Sequence, residues 1–381
     1  MAIKIVYIVQ SAGGVDIYLR MLLRNMNRSE FTNILICSYD FKKENYIELV
    51  DAFHYVKMNR EIDIKTDFMA ILSIRNLIKR YQPDIVYLHS SKAGAIGRIS
   101  NIGIANQVVY NPHGWSFCMD CSEMKKFFYR LVEKCLSFLT DDIVAVSKCE
   151  KNRAIGNKIC KAEKIKVIFN GIDITAFDFG RTKRKISKVE LGIPSDSYVI
   201  GIVGRICYNK APDVFLKAAS LIKQKIPEAF FVFVGDGPEI EKVKQLINQY
   251  FLQDCTLITG WTDDPFQYIT KFNQGMLLTR WEGFGLVLAE YMIAKVPIIA
   301  TNIDSIPELI TDKVNGLLVN VNDAEGTALA SIEIYENKNL CDKLVANGDV
   351  IVRSGFDIKR VAIEHGILFE KSKFIHRDFI F

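Results

Sequence analysis

Two glutamates, Glu282 and Glu290, stand eight residues apart, with Gly283-Phe284-Gly285 directly after the first. The apolar run Met276-Leu277-Leu278 leads into them, and a helix is expected from about Leu286 to Ala294, before Val296-Pro297. Glycines let a backbone approach a ligand closely. Free N–H groups and the dipole at a helix start favour an anion there. Eight residues of helix separate two carboxylates by roughly 12 Å, too far for one joint acid/base pair. Two carboxylates that grip different parts of one long ligand fit the spacing better. The plainer alternative is a helix-start charge and a solvated glutamate.

Positive groups stand earlier. The buried strand Tyr198–Val203 is followed at once by Gly204-Arg205, and then by Lys210. Arg chelates phosphate oxygens bidentately and Lys adds a point charge, so the pair suits a diphosphate. A solvated loop is the competing account. Three more loops follow apolar strands. Ser11-Ala12-Gly13-Gly14 is a glycine loop before a helix, but not a dinucleotide fingerprint. His89-Ser90-Ser91-Lys92-Ala93-Gly94 sets hydroxyls and a lysine at a helix start: an anion pocket, or an N-cap serine with a surface lysine. In Asn111-Pro112-His113-Gly114-Trp115-Ser116-Phe117, Pro112 and Gly114 bend the chain around His113.

These loops need a scaffold. Ile3–Val9, Asn33–Cys37, Ile85–Leu88, Val108–Tyr110, Ile143–Val146 and Lys166–Ile168 read as apolar strands, with helical segments such as Asp16–Met26 and Asp67–Tyr81 between them. Continuous apolar strands with helical crossovers predict a parallel sheet covered on both faces, with ligands beyond its carboxyl ends. Later strands are expected at Phe230–Val234, Leu257–Trp261, Pro297–Thr301 and Asn315–Val319, with helices opening at Gly235-Asp236-Gly237 and Ser305–Glu308. Asp236 fits an N-cap as well as a ligand contact. Phe117–Phe138 mixes aromatics with Lys125, Lys126, Arg130 and Lys134. It is either an interfacial helix or, the reading preferred for its body, an ordinary amphipathic helix packed on the sheet. The aromatic turn Trp115–Phe117 is expected to face an acceptor. The basic cluster Arg181–Lys185 is expected to be a solvated linker.

The Glu282/Glu290 stretch resembles the signature of retaining GT-B glycosyltransferases, most of all the family four enzymes that use nucleotide-sugar donors. The resemblance covers nearly the whole chain and rests on Gly13-Gly14, His113, Arg205, Lys210, Glu282 and Glu290 in that order. It implies an α/β GT-B fold: two Rossmann-like domains whose parallel sheets face across a cleft. Residues 1–175 would form the acceptor side and 176–355 the nucleotide-sugar side. A final helix, about 356–381, would pack back on the first domain. It implies that Glu282, Gly283, Phe284, Gly285 and Leu286 contact the donor sugar and Glu290 the ribose. Arg205 and Lys210 would hold the diphosphate and stabilise the charge that develops on the leaving phosphate. Gly14 would lie near the phosphates, Gly235, Trp261 and Thr262 near the base, and His113 at the sugar. Gly13, Ser91, Lys92 and Trp115 would meet the acceptor.

The same resemblance implies retention, by front-face attack with the leaving phosphate taking the acceptor's proton. There is no Asp-x-Asp motif, and Arg205 with Lys210 can replace a divalent cation, so no metal and no cofactor are expected. UDP is the default nucleotide, with GDP open. The second and third loops are similar to those of bacterial capsule and O-antigen assembly. That implies a lipid-diphosphate-linked saccharide as acceptor, a cytoplasmic enzyme, and peripheral contact with the anionic inner face of the membrane, without nucleic acid. Two rivals stand: a nucleotide-sugar epimerase on a similar fold, and a non-enzymatic sugar- or lipid-binding protein.

Bulk properties agree with a two-domain enzyme. The chain has 381 residues and no apolar run long enough to span a bilayer. Its first residues read as a strand, not a signal peptide. Nine scattered cysteines, with Cys118-x-x-Cys121 lacking a second pair, point to reduced thiols and not to zinc. Residues 1–190 hold 30 Lys+Arg against 20 Asp+Glu, a balance of +10; the remainder holds 19 against 24, a balance of −5. The basic half suggests an anionic partner, a solvated basic surface being the alternative.

Overall fold

The computed structural model describes residues 2–59, 61–180 and 186–377. They form two units, Met1–Gly171 with Ile358–Phe381, and Ile172–Asp357. The first runs β1 (Ile3–Val9), α1 (Gly14–Asn25), β2 (Phe31–Cys37), β3 (Ala52–Tyr55), α2 (Ile64–Tyr81), β4 (Ile85–His89), α3 (Ser91–Ser100), β5 (Gln107–Asn111), α4 (Glu123–Leu136), β6 (Asp142–Ala145), α5 (Lys148–Gly156) and β7 (Ile165–Val167). The second holds α6 (Ile174–Gly180), β8 (Tyr198–Val203), α7 (Pro212–Lys223), β9 (Ala229–Val234), α8 (Ile240–Gln249), β10 (Thr256–Ile258), α9 (Phe266–Ile269), β11 (Gln274–Leu277), α10 (Leu286–Ile293), β12 (Ile298–Thr301), α11 (Ile306–Leu309), β13 (Leu317–Val319), α12 (Ala324–Glu336) and α13 (Lys338–Gly355). The last helix, α14 (Ile358–Arg377), belongs to the first unit.

Both sheets are parallel, in the orders β3-β2-β1-β4-β5-β6-β7 and β10-β9-β8-β11-β12-β13. Alternation builds the first unit's two cores. Ile5, Tyr7 and Val9 face α1 through Leu19, Leu22 and Leu23, and α14 through Val361 and Phe369. Val6 and Ile8 face α2 through Ala70, Ile74 and Ile78. Those spacings are one helix face and one strand face. Each large side chain so buried contributes about 1.5–3 kcal/mol.

Each order reverses once, between β1 and β4 and between β8 and β11. Such switch points open a crevice at the carboxyl ends of the strands. Here Val9 pairs with both Cys37 and His89, so β1, β2 and β4 end level. The crevice of the first sheet is bordered by the loops after Val9 and His89, and that of the second by the loops after Val203 and Leu277.

Several expectations are corrected. Strand β3 has no continuous apolar run, only half-buried Ala52-Phe53-His54 and exposed Tyr55 on the sheet edge. Helix α8 begins at Ile240, not at Gly235, and Asp236 does not cap it; its carboxylate accepts from the Gly237 amide at 2.6 Å. Strand β10 ends at Ile258, so Trp261 stands in the loop beyond. The Ser305 helix is a single turn. Helix α4 does not bury its apolar stripe. Its buried residue is Glu133, while Met124, Phe127, Phe128 and Leu131 are exposed. The reason is an inward anchor: Glu133 pairs with buried Arg98 at 2.9 Å and accepts from the Tyr110 hydroxyl at 2.9 Å. The Arg181–Lys185 cluster and residues 378–381 lie outside the described residues.

Candidate functional site

In the second unit the loops flanking the switch point are tied together by backbone and side chain. The Arg280 amide and the Thr279 hydroxyl donate to the Asn209 carbonyl at 2.8 and 3.1 Å. The Arg280 guanidinium donates to the Tyr208 carbonyl, pairs with Asp213 at 2.8 Å, and lies 4.1 Å over the Tyr208 ring. These bonds fix Lys210 against Glu282, Nζ to Oε2 at 2.5 Å, both partly buried. The Glu282 amide donates to Asp304, and the Gly283 amide to the Glu282 carboxylate. Phe284 is buried, and Gly285 caps α10 at φ 84 with no side-chain capping hydrogen bond. The amide end at Leu286 is therefore not covered by a capping side chain.

Arg205 is exposed at the same edge and has no hydrogen-bond or ion-pair partner among the described residues. Its loop is held by a close approach. Gly235, at φ 141, lies where a Cβ would meet the Gly204 carbonyl oxygen at 2.1 Å. Gly204 donates to the Val234 carbonyl and Ile206 to the Asp236 carbonyl. Gly235 also bridges Gly260, which sets the exposed indole of Trp261 and the neighbouring Thr262 just beyond it. Glu290, one helical run on from Glu282, is half-buried, and no described residue hydrogen-bonds its carboxyl. Burial raises its pKa to about 7.

The first unit arranges a different chemistry. Gly13, at φ 115 with open space where a Cβ would stand, starts α1 beside Gly14. His113 has a left-handed φ of 51, and its amide donates to the Asn111 side chain at 3.0 Å. Buried Glu150 fixes the loop by accepting from the Gly114 and Val146 amides at 2.7 and 2.6 Å. His113 Nε2 and His89 Nδ1 share a hydrogen bond of 2.9 Å. Behind them, His365 of α14 donates from Nδ1 to the Val361 carbonyl, so its Nε2 accepts from the Tyr18 and Tyr87 hydroxyls at 3.2 and 2.9 Å. Burial, and secondarily the neighbouring imidazoles, push His113 down to about 3 and His89 well below its usual value. Burial holds His365 at about 4. Burial thus favours the neutral form of all three rings, in which His113 can orient a hydroxyl.

Two expected acceptor residues, Trp115 and Lys92, have partners within the first unit. Trp115 is 2 % exposed, stacked with Phe117, its indole N–H donating to the Glu150 carbonyl. The Lys92 ammonium is paired with Asp67 at 2.5 Å and donates to the Glu61 carbonyl. Residues that the sequence reading passed over are Asn209, Arg280 and Asp304 in the second unit, and His89, Glu150 and His365 in the first. His89 and Arg280 lay in stretches already singled out. Among the described residues no three His, Cys, Asp or Glu side chains are grouped to hold a metal ion, and no helix is long and apolar enough to cross a membrane.

Comparison with known proteins matches residues 12–176 to the family described as Glycosyltransferase Family 4, and residues 183–350 to Glycosyl transferases group 1. A relative from Escherichia coli, UDP-Gal:alpha-D-GlcNAc-diphosphoundecaprenol alpha-1,3-galactosyltransferase, is 28% identical over 88% of this chain and 89% of its own. The Staphylococcus aureus capsular polysaccharide biosynthesis glycosyltransferase CapM is 25% identical over 80% of each chain. Among solved structures, Anabaena HepE in complex with UDP and glucose superposes with a TM-score of 0.82 at 19% identity, covering 97% of this chain and 99% of its own.

Proposed function

The chain belongs to the family four glycosyltransferases of GT-B fold, and from that premise we propose that it moves a hexose or N-acetylhexosamine from a UDP-sugar to a lipid-diphosphate-linked saccharide in capsule or O-antigen assembly. One observation carries this reading. At the switch point of the second sheet, free Arg205, the Lys210–Glu282 pair and the glycine-capped start of α10 stand together. That set offers charge to a diphosphate and a carboxylate to a sugar hydroxyl. Trp261 offers an exposed ring face to a base, and the half-buried Glu290 carboxyl an acceptor to ribose. The names of the E. coli and S. aureus relatives support the polymer and the lipid-linked acceptor, and the UDP bound by HepE supports the nucleotide.

In the proposed step the acceptor hydroxyl oxygen bonds to the sugar's anomeric carbon on the face that the phosphate leaves. The carbon–phosphate-oxygen bond breaks, its electron pair stays on the diphosphate, and that oxygen takes the hydroxyl proton. Configuration is thereby retained. Arg205 and Lys210 stabilise the charge as it forms, supplying what a divalent cation would otherwise bring. Glu282 orients the sugar on the second unit, and the acceptor is bound on the first unit near Gly13 and His113. Such an acceptor places the enzyme at the inner face of the membrane.

The test is a calorimetric screen of UDP- and GDP-sugars, followed by transfer of labelled sugar to a lipid-diphosphate-linked saccharide with EDTA present. Transfer with retained configuration is expected. Isomerised donor without acceptor would make the protein an epimerase, and heat with free sugar alone would make it a binding protein.

A further inference from the structure

The outer surface of α4 is apolar. Met124, Phe127, Phe128, Leu131 and Phe138 are 82, 63, 50, 48 and 81% exposed, and Cys135 is exposed between them. At about 100° per residue those six positions, continued one turn past α4, make one stripe, and Glu133 falls on the opposite side. The helix cannot roll to bury the stripe without withdrawing Glu133 from Arg98 and Tyr110. The outward face is thus fixed by a buried ion pair.

Cations rim the stripe. Lys125 lies on one flank; Lys134 and half-buried Arg130 lie on the other. Lys126 is paired with exposed Glu123 at 2.9 Å, and Asp120 is the remaining acid nearby. The whole unit carries 30 Lys+Arg against 20 Asp+Glu, a balance of +10. Helix α2 adds Ile64, Phe68, Met69 and Leu72, each at least 42% exposed, on the same side of the sheet, since α2 and α4 both pack against α3. Exposed Glu61 and Asp63 precede those residues, so the cationic rim belongs to α4. The first halves of α2 and α4 lie toward the carboxyl edge of the strands, where Gly13, His89 and His113 stand.

We propose that the α4 face docks on an anionic phospholipid surface, its rings in the headgroup–acyl boundary and its cations among the phosphates. An apolar stripe between cations is what such a surface recognises. The docking deepens the reading of a lipid-linked acceptor, because it brings the acceptor loops of the same unit to the membrane plane where that acceptor is held.

The experiment is co-sedimentation of the full chain with phosphatidylcholine vesicles, with and without phosphatidylglycerol. The wild type should pellet with the anionic vesicles and not with the neutral ones. Phe127→Ser/Phe128→Ser should lower partition about tenfold or more, and Lys125→Gln/Lys134→Gln about fivefold per charge on anionic vesicles. A Phe128→Trp variant should shift its emission to the blue with anionic vesicles only. UDP-sugar binding, read on the same samples, should be unchanged in every variant. If the wild type fails to bind nucleotide but still pellets, the glycosyltransfer reading fails and the docking stands. Docking is overturned if the wild type ignores anionic vesicles or if the serine variant pellets like it. It is also overturned if sedimentation velocity finds a dimer that the serine variant dissociates, which would assign the stripe to a second copy.

Discussion

Arg205 and Glu290 stand in opposite surroundings, the first exposed and the second half-buried. Arg205 is exposed and unpartnered among the described residues, so its removal leaves nothing buried and unsatisfied. Arg205→Ala should lower turnover about 10²-fold, the scale of losing one preorganised donor, while the melting temperature stays within about 2 °C. Sugar-transfer rates and a thermal melt on the same preparation check both halves; unchanged turnover removes Arg205 from the diphosphate clamp. Glu290 makes a pH prediction. Its folded pKa of about 7 lies above the unfolded carboxyl value. Relative to the unfolded chain, the folded protein therefore holds an extra proton between those values, and that contribution to stability is lost as pH rises through 7. A ribose hydroxyl donates to the carboxylate, so nucleotide binding should tighten from pH 6 to 8 and release about half a proton at pH 7. Calorimetry in two buffers of different ionisation enthalpy reads this, and Glu290→Gln should abolish it. A type and a spacing after a strand located both residues in the sequence. Neither quantity could show that Lys92 pairs with Asp67, or that Trp115 is sealed against Glu150, because those partners lie 25 and 35 positions away.

Elements were legible where burial on two faces left a continuous apolar run, as in β1, β4, β8 and β9. They were not legible where a strand is short and half-buried, as in β3. Helix α4 is the most informative failure. Its periodicity shows that an apolar face exists, but only tertiary contacts decide whether that face turns inward. The deciding group is Glu133, whose partners are Arg98 and Tyr110. Glu133→Ala should destabilise the first unit by about 3–5 kcal/mol, because it strands the Arg98 charge in the interior. Chemical denaturation measures this; a loss below about 1 kcal/mol would mean that Arg98 finds water instead. In the second unit the counterpart is Gly235. Gly235→Ala forces a Cβ toward the Gly204 carbonyl at a φ that side chains avoid, and should cost roughly 1–3 kcal/mol. Nucleotide affinity should fall as well, because the same contact holds the Arg205 loop.

At the scale of the whole molecule the charge is divided by unit: 30 Lys+Arg against 20 Asp+Glu in the first, and 19 against 24 in the second. The division was visible in the sequence as a basic half and an acidic half, and the return of α14 to the first unit leaves the totals unchanged. An exposed basic surface interacts with an anionic bilayer through solvent, where salt screens beyond about 10 Å at 0.1 M. The Lys210–Glu282 site is partly buried, and short-range contacts there are screened much less. The two steps should therefore separate by ionic strength. With donor saturating, raising salt from about 0.05 to 0.5 M should slow transfer to a vesicle-embedded acceptor by about tenfold. Transfer to the same acceptor in neutral detergent should slow far less. Initial rates under the two presentations, run side by side, decide the matter. Equal slowing in both would place the salt-sensitive step at the diphosphate, and would remove the reason for assigning the first unit's excess charge to a membrane.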